Sequence, residues 1–101
     1  MPPTAAQLSS FLRRLRAAAR SDRVYLTAYA LDGARDLGWD VFDVRQQLVE
    51  LSPPDFLRAE RSTFLSGETV WVFQPTLPDD TELWIRLIER HGIVVVSFHL
   101  G

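Results

Sequence analysis

The spacing of apolar residues along the chain changes near residue 52. Before this point they recur every three to four positions, the repeat of helices that bury one side, as Leu8, Leu12 and Leu15 show in the first segment. Thr27 is placed to cap the second segment through its hydroxyl. The pattern predicts three helices, over about residues 4–20, 27–37 and 40–51.

From residue 56 onward, apolar and polar residues alternate, which is typical of strands with one buried face. We predict four strands, at about residues 56–62, 69–74, 82–89 and 93–99. Hairpin turns are indicated by SGE at 66–68 and RHG at 90–92, and a short strand or extended link at 24–26. Helices followed by consecutive strands predict an α+β fold, in which N-terminal helices pack on an antiparallel β-sheet formed by about residues 56–99.

The chain has the composition of an ordered globular protein. Its 101 residues, 47% of them apolar, predict a single domain over residues 1–101. Because the sequence has no cysteine and only two histidines, we expect no disulfide, no metal site and no cofactor. No apolar run approaches the roughly 20 residues that cross a bilayer, and no secretory signal pattern is present, so we expect a cytoplasmic protein without a membrane partner.

The charged residues give two opposing indications. A formal net charge of −2 provides no long-range attraction for a polyanion, which weighs against nucleic-acid binding. All eleven basic residues are arginines, whose planar guanidinium groups suit bidentate contacts with phosphate. A codon preference for arginine explains the absence of lysine more simply. Any catalytic base in this protein must therefore be a residue other than lysine.

The predicted strand over residues 82–89 carries a pair of side chains with functional potential. Alternation places Trp84 and Arg86 on the face opposite Leu83. If the helices cover the Leu83 side, a stacking aromatic and a phosphate-binding cation lie together on an open face. In the structural alternative, Trp84 is a partly exposed sheet aromatic and Arg86 bonds across strands to Glu60 or Glu82.

The last predicted strand ends near His99, one of the two histidines. Simple alternation places this residue on the same face as Val95 and places Phe98 on the other. An imidazole titrates near neutral pH and can carry a proton, but a histidine that merely ends a strand is the structural alternative. In the first sheet strand, Arg58 and Arg61 fall on opposite faces, so at most one of them can join any single site.

Five sequence elements follow one another in an order that resembles a known family. They are LGWDVFDVRQQLVELSPPDFLRA, WVFQP, LWIR, the turn histidine His91 and VSFH. Their order and spacing, from about Ala28 to His99, resemble those of the MqsR family of bacterial toxins, where the corresponding strand elements are DVYRP, VYLK and VSFK. Members of this family have a RelE-like fold and belong to type II toxin–antitoxin pairs.

The resemblance implies a metal-independent endoribonuclease, an mRNA interferase whose expression arrests growth. In this chemistry the ribose 2'-oxygen attacks the adjacent phosphate. The implied roles are proton shuttle for His99, phosphate contacts for Arg58 and Arg86, and base stacking for Trp84. Further RNA contacts are expected from Phe73, Gln74 and His91. The implied partners are RNA and a cognate antitoxin, an MqsA-like DNA-binding protein with a helix-turn-helix.

Several positions depart from the family pattern. Arg58 and His99 stand where the family has lysines, and Leu57 and Trp84 stand where it has tyrosines. A glutamine important to the family falls opposite Val70. These departures leave open a catalytically degenerate protein of the same fold that acts as a partner-binding or regulatory module. An unrelated α+β domain of a metabolic complex is a third possibility.

Overall fold

The computed structural model describes residues 2–62 and 67–101. Its α-helices begin at residues whose side chains accept a hydrogen bond from a backbone N–H of the first turn, namely Thr4, Thr27 and Asp40. They are α1 (Ala5–Arg20), α2 (Ala28–Asp36) and α3 (Val41–Glu50), and a short 3-10 helix follows at Pro53–Asp55. None of these helices is long and apolar enough to span a membrane.

The strands form one mixed sheet in the order β1-β5-β4-β3-β2. They are β1 (Val24–Leu26), β2 (Phe56–Arg61), β3 (Thr69–Phe73), β4 (Leu83–Glu89) and β5 (Ile93–Leu100). The predicted α+β fold is confirmed, and β2 to β5 are antiparallel as expected. The sheet as a whole is not purely antiparallel, because the short segment between α1 and α2 pairs in parallel with β5.

The main core lies between the helices and one face of the sheet. Leu12 and Leu15 of α1 and Leu48 of α3 are buried together with Ile85 and Leu87 of β4. This burial accounts for the helical spacing of apolar residues in the first half of the chain.

The opposite sheet face carries a smaller apolar cluster of Val70, Val72 and Ile88. The partly buried residues packed on this cluster all come from strands, namely Trp84, Val94 and Val96. We call this side of the sheet the open face.

A β-bulge interrupts the pairing of β4 with β5. Arg86 pairs with Ser97, and the next residue, Leu87, pairs with Val95. Val96 therefore has no partner in β4. An extra residue of this kind breaks the strict alternation of side chains and increases the local twist.

The bulge reverses the faces of the second half of β5. Phe98 lies in the main core, while His99 pairs with Trp84. The prediction that His99 shares a face with Val95 is therefore wrong, because the bulge lies between the two residues. The reversal brings the imidazole to the open face, since directly paired residues of adjacent strands project to the same side.

The β4–β5 hairpin turns through residues 90–92. His91 and Gly92 have φ angles of 53° and 124°, both in the left-handed region that tight turns use. The other predicted turn, SGE, begins with Ser66, which lies outside the described residues. Gly67, its second residue, has a φ of 76°.

Candidate active site on the open face

Four paired residues form a row across the open face. Arg58 of β2 pairs with Val72 of β3, which pairs with Arg86 of β4, which in turn pairs with Ser97 of β5. Neighbouring strands lie about 4.8 Å apart, so about 10 Å separates the backbones of the two arginines. This spacing allows both side chains to reach a group bound between them.

The two arginine side chains converge on Trp84. The Cζ atom of Arg58 lies 5.8 Å from a Trp84 ring centroid, and that of Arg86 lies 5.9 Å from it. Both distances are within the range of cation–π attraction. Two guanidinium groups beside an indole place phosphate-binding donors next to a surface on which a base can stack.

The two carboxylates near this cluster bind residues other than Arg86, and one of them forms an ion pair with Arg58. Glu60 Oε2 accepts a hydrogen bond of 3.0 Å from Arg58 Nε, and Glu82 Oε2 accepts one of 2.5 Å from Gln74 Nε2. Among the residues that the structure describes, no ion pair is recorded for Arg86. The cross-strand bond from Arg86 to Glu60 or Glu82, the structural alternative for this residue, is therefore not observed.

The imidazole of His99 has a defined hydrogen-bonding state. Its Nδ1 lies 2.7 Å from the carbonyl oxygen of Leu100. Because a carbonyl oxygen can only accept, Nδ1 is the nitrogen that carries hydrogen in the neutral ring. Nε2 is then the acceptor, so this nitrogen can take up a proton from a bound group and later return it.

Ser97 adds a buried hydroxyl to the same face. The residue is only 3% exposed, and its Oγ atom has no hydrogen-bond partner within the part of the chain that the structure describes. It lies opposite Arg86 and two positions before His99. Buried hydroxyls are normally paired, so Ser97 is an exception within the described residues.

Gln74 lies beside this group of residues. The N–H of Leu83 donates a 3.0 Å hydrogen bond to the carbonyl of Pro75, which continues the β3–β4 register beyond β3. Gln74 is therefore level with Trp84, at the edge of the candidate site. Its contact with RNA stays a prediction.

The structure does not bring Phe73 or His91 to this site. Phe73 is fully buried on the helix side, where its ring packs against those of Phe11 and Phe56. The prediction that it stacks on an exposed base is wrong, because the register of β3 turns Phe73 into the main core. His91 lies in the turn before β5, and the strand from Ile93 to His99 alone extends about 20 Å.

Sequence reasoning missed one aromatic neighbour of the imidazole. Tyr29, in the first turn of α2, meets His99 edge to face, with 6.3 Å between the ring centroids and 76° between the ring planes. It is 65% exposed. Helical spacing marks Tyr29 as a surface position, but only the packing of α2 beside β5 reveals which strand residue it contacts.

In the part of the chain that the structure describes, the side chains that could ligate a metal ion lie apart from one another. Over residues 2–62 and 67–101, no cluster of three or more histidine, cysteine, aspartate or glutamate side chains is placed to hold a metal ion.

These features define an α+β protein that presents two arginines, a tryptophan and a histidine on the open face of its sheet. The family model described as "motility quorum-sensing regulator, toxin of MqsA" matches residues 8–100. The chain belongs to this MqsR toxin family. It is accordingly a toxin of a toxin–antitoxin system, which implies an antitoxin as its partner. A comparison with curated proteins found no match.

Proposed function

We propose that this toxin is a metal-independent endoribonuclease that cleaves messenger RNA. The observation that carries the proposal is the placement of His99 next to Trp84, with Arg58 and Arg86 converging on the same indole. A proton carrier, two fixed cations and a stacking surface are the groups that a metal-free attack on a phosphodiester requires.

In the proposed reaction, His99 serves first as base and then as acid. Its Nε2 removes the proton of a ribose 2'-hydroxyl, and the 2'-oxygen forms a bond to the adjacent phosphorus. The bond from phosphorus to the 5'-oxygen breaks, and this oxygen takes the electron pair and receives the proton back from the imidazolium. The products are a 2',3'-cyclic phosphate and a free 5'-hydroxyl, with no net proton uptake.

The arginines stabilise the charge that develops on the phosphate oxygens. Neither Arg58 nor Arg86 can act as the base, since a guanidinium does not lose its proton in proteins. Trp84 stacks on a base next to the reacting phosphate, and Gln74 contacts the edge of a neighbouring base.

The remaining parts of the proposal concern partners and surroundings. His91 contacts only RNA long enough to follow β5 over its length of about 20 Å and reach the turn beyond it. The antitoxin is an MqsA-like DNA-binding protein with a helix-turn-helix, and the toxin acts in the cytoplasm. Metal independence follows from the histidine-based proton transfer described above.

One observation favours a second candidate function, that of a partner-binding or regulatory module without catalysis. Val70, which stands where the family has an important glutamine, is 4% exposed and belongs to the apolar cluster of the open face. This position therefore supplies no polar group to a reaction. A non-catalytic toxin-family member would use the same face to hold a partner.

A cleavage assay with purified protein distinguishes the two functions. Single-stranded RNA of mixed sequence, labelled at its 5' end, is incubated in EDTA and separately in Mg²⁺. We expect cleavage in both, with 2',3'-cyclic phosphate ends, and no cleavage at a site where the 2'-hydroxyl is replaced by hydrogen. Absence of cleavage by folded protein contradicts the ribonuclease proposal, and cleavage only in Mg²⁺ contradicts its metal-free mechanism.

A companion experiment tests the toxin in cells. Induced expression is expected to arrest bacterial growth, and co-expression of the antitoxin is expected to restore it. The His99→Gln variant separates the two functions here as well, since a catalytic toxin loses growth arrest while a binding module keeps it.

A further inference from the structure

We propose that Tyr29 is a substrate-binding residue that stacks on the base of one of the two nucleotides joined by the scissile phosphate. Trp84 takes the base of the other nucleotide. The inference rests on the proposed ribonuclease function and adds to it a residue outside the sheet. It also defines the substrate as RNA whose bases are unpaired on both sides of the cleaved bond.

The geometry around His99 supports this role. His99 is the backbone partner of Trp84 across β4 and β5, and on the α2 side its imidazole meets the Tyr29 ring at 6.3 Å. The proton carrier thus lies between two aromatic side chains that belong to different elements. A phosphate bound at His99 therefore lies near aromatic residues from two different elements, and each can take one of the two flanking bases.

The position of Tyr29 is fixed by close packing of α2 on β5. Thr27 Oγ1, at the start of the helix, donates a 2.8 Å hydrogen bond to the carbonyl of Val96. Gly33, one turn beyond Tyr29, lies so close to β5 that an added Cβ would be 1.8 Å from the carbonyl oxygen of Phe98. A rigidly held aromatic loses little freedom when it binds a base, which favours binding.

Tyr29 also has the exposure that a base-stacking side chain needs. It is 65% exposed, whereas Phe73, expected from the sequence to stack on bases, is fully buried. Proteins that recognise single-stranded RNA stack unpaired bases on such exposed aromatic side chains.

The test compares Tyr29→Ala and Tyr29→Phe with Phe42→Ala. Phe42 is a matched control, because it is a 70% exposed aromatic on α3, a helix packed chiefly on α1 and away from the open face. Two quantities are measured on a five-nucleotide RNA. One is the KM and kcat of cleavage, and the other is the Kd of a 2'-O-methyl version that cannot be cleaved.

For Tyr29→Ala we expect Kd and KM to rise about 10-fold, which corresponds to about 1.4 kcal/mol, while kcat and its pH profile stay close to those of the parent. Tyr29→Phe should bind like the parent, since phenylalanine keeps the ring. Phe42→Ala should change neither constant. Thermal melting checks that each variant is folded, as expected for substitutions of exposed side chains.

Each contrary result has a separate meaning. If the parent cleaves RNA and Tyr29→Ala binds the 2'-O-methyl RNA as tightly as the parent, the inference is wrong and the ribonuclease function stands. A loss confined to kcat with a shifted pH profile also overturns it, because Tyr29 would then act through His99. Equal losses in Tyr29→Phe and Tyr29→Ala assign the effect to the hydroxyl and overturn stacking. If the folded parent neither binds nor cleaves RNA, the proposed function and this inference both fail.

Discussion

Thr27 Oγ1 lies 2.8 Å from the carbonyl oxygen of Val96 and donates a hydrogen bond to it. The same hydroxyl oxygen accepts a 3.1 Å hydrogen bond from the backbone N–H of Ala30, which caps helix α2. Val96 is the residue of β5 that has no partner in β4. One side chain therefore connects the start of α2 to the bulge that turns His99 toward the open face.

Replacing Thr27 with valine should destabilise the protein and reduce its activity. Valine keeps the shape but removes both hydrogen bonds of the hydroxyl, and loss of an N-cap costs about 1–2 kcal/mol. We expect a lower urea midpoint, and a lower kcat/KM at temperatures where the variant is folded. Thr27→Ser keeps the hydroxyl and should restore most of both. A Thr27→Val variant as stable and active as the parent would show that the link is dispensable.

His99→Gln tests the proton transfer. Glutamine keeps the approximate size and some hydrogen bonding but cannot titrate, so the cleavage rate should fall by about 10²–10⁴ while the melting temperature changes little. Since the family has lysine at this position, His99→Lys should recover part of the activity. Cleavage by His99→Gln at the parent's rate from pH 5 to 8 would exclude the proton-shuttle role.

Arg58→Ala and Arg61→Ala form a charge-matched pair. Each variant removes one positive charge from β2. Arg58 pairs with Val72 on the open face. Arg61 is three residues further along the strand and pairs with Thr69, so its side chain projects from the other face. We expect Arg58→Ala to reduce kcat/KM by about 10-fold or more, because a fixed cation near the phosphate is lost. Arg61→Ala should stay within about twofold of the parent. Equal losses in steady-state kinetics would mean that overall charge, and not position, determines the effect.

Gly33→Ala should destabilise the packing of α2 on β5. The added Cβ would lie 1.8 Å from the carbonyl oxygen of Phe98, so the helix must move away from the strand, at a cost of about 1–3 kcal/mol. Gly38→Ala is the comparison, since a Cβ there meets nothing within 4 Å and the cost, about 1 kcal/mol, comes only from its φ of 76°. Chemical denaturation should therefore rank Gly33→Ala as the less stable variant. The reverse order would show that the contact with Phe98 relaxes easily.

The periodicity of the sequence predicted the helices, the four C-terminal strands and the open-face location of Trp84 and Arg86. The prediction for Trp84 and Arg86 succeeds because β4 is regular, so alternation along this strand is unbroken. The face of His99 could not be predicted, because the run Val94–Val96 is apolar at every position and fits either face. The bulge within this run depends on how β5 pairs with its neighbours and leaves no local signal.

The same limitation explains the wrong prediction for Phe73 and the missed Tyr29. β3 is apolar from Val70 to Phe73, so its sequence does not show which side faces the helices. The structure shows that Val70 and Val72 take the open face and Phe73 the core. Tyr29 gains its relation to the site only from tertiary packing, which brings together residues 70 positions apart in the chain.

The parallel pairing of β1 with β5 makes the N-terminal part of the fold depend on the C-terminal strand. The bond from Thr27 to Val96 joins positions 69 residues apart, so the early helices must wait for distant contacts to complete their core. During synthesis β5 emerges after every other strand, and it brings both the buried Phe98 and the proton carrier His99. On the proposed mechanism, a nascent toxin on the ribosome is inert until its last strand is inserted.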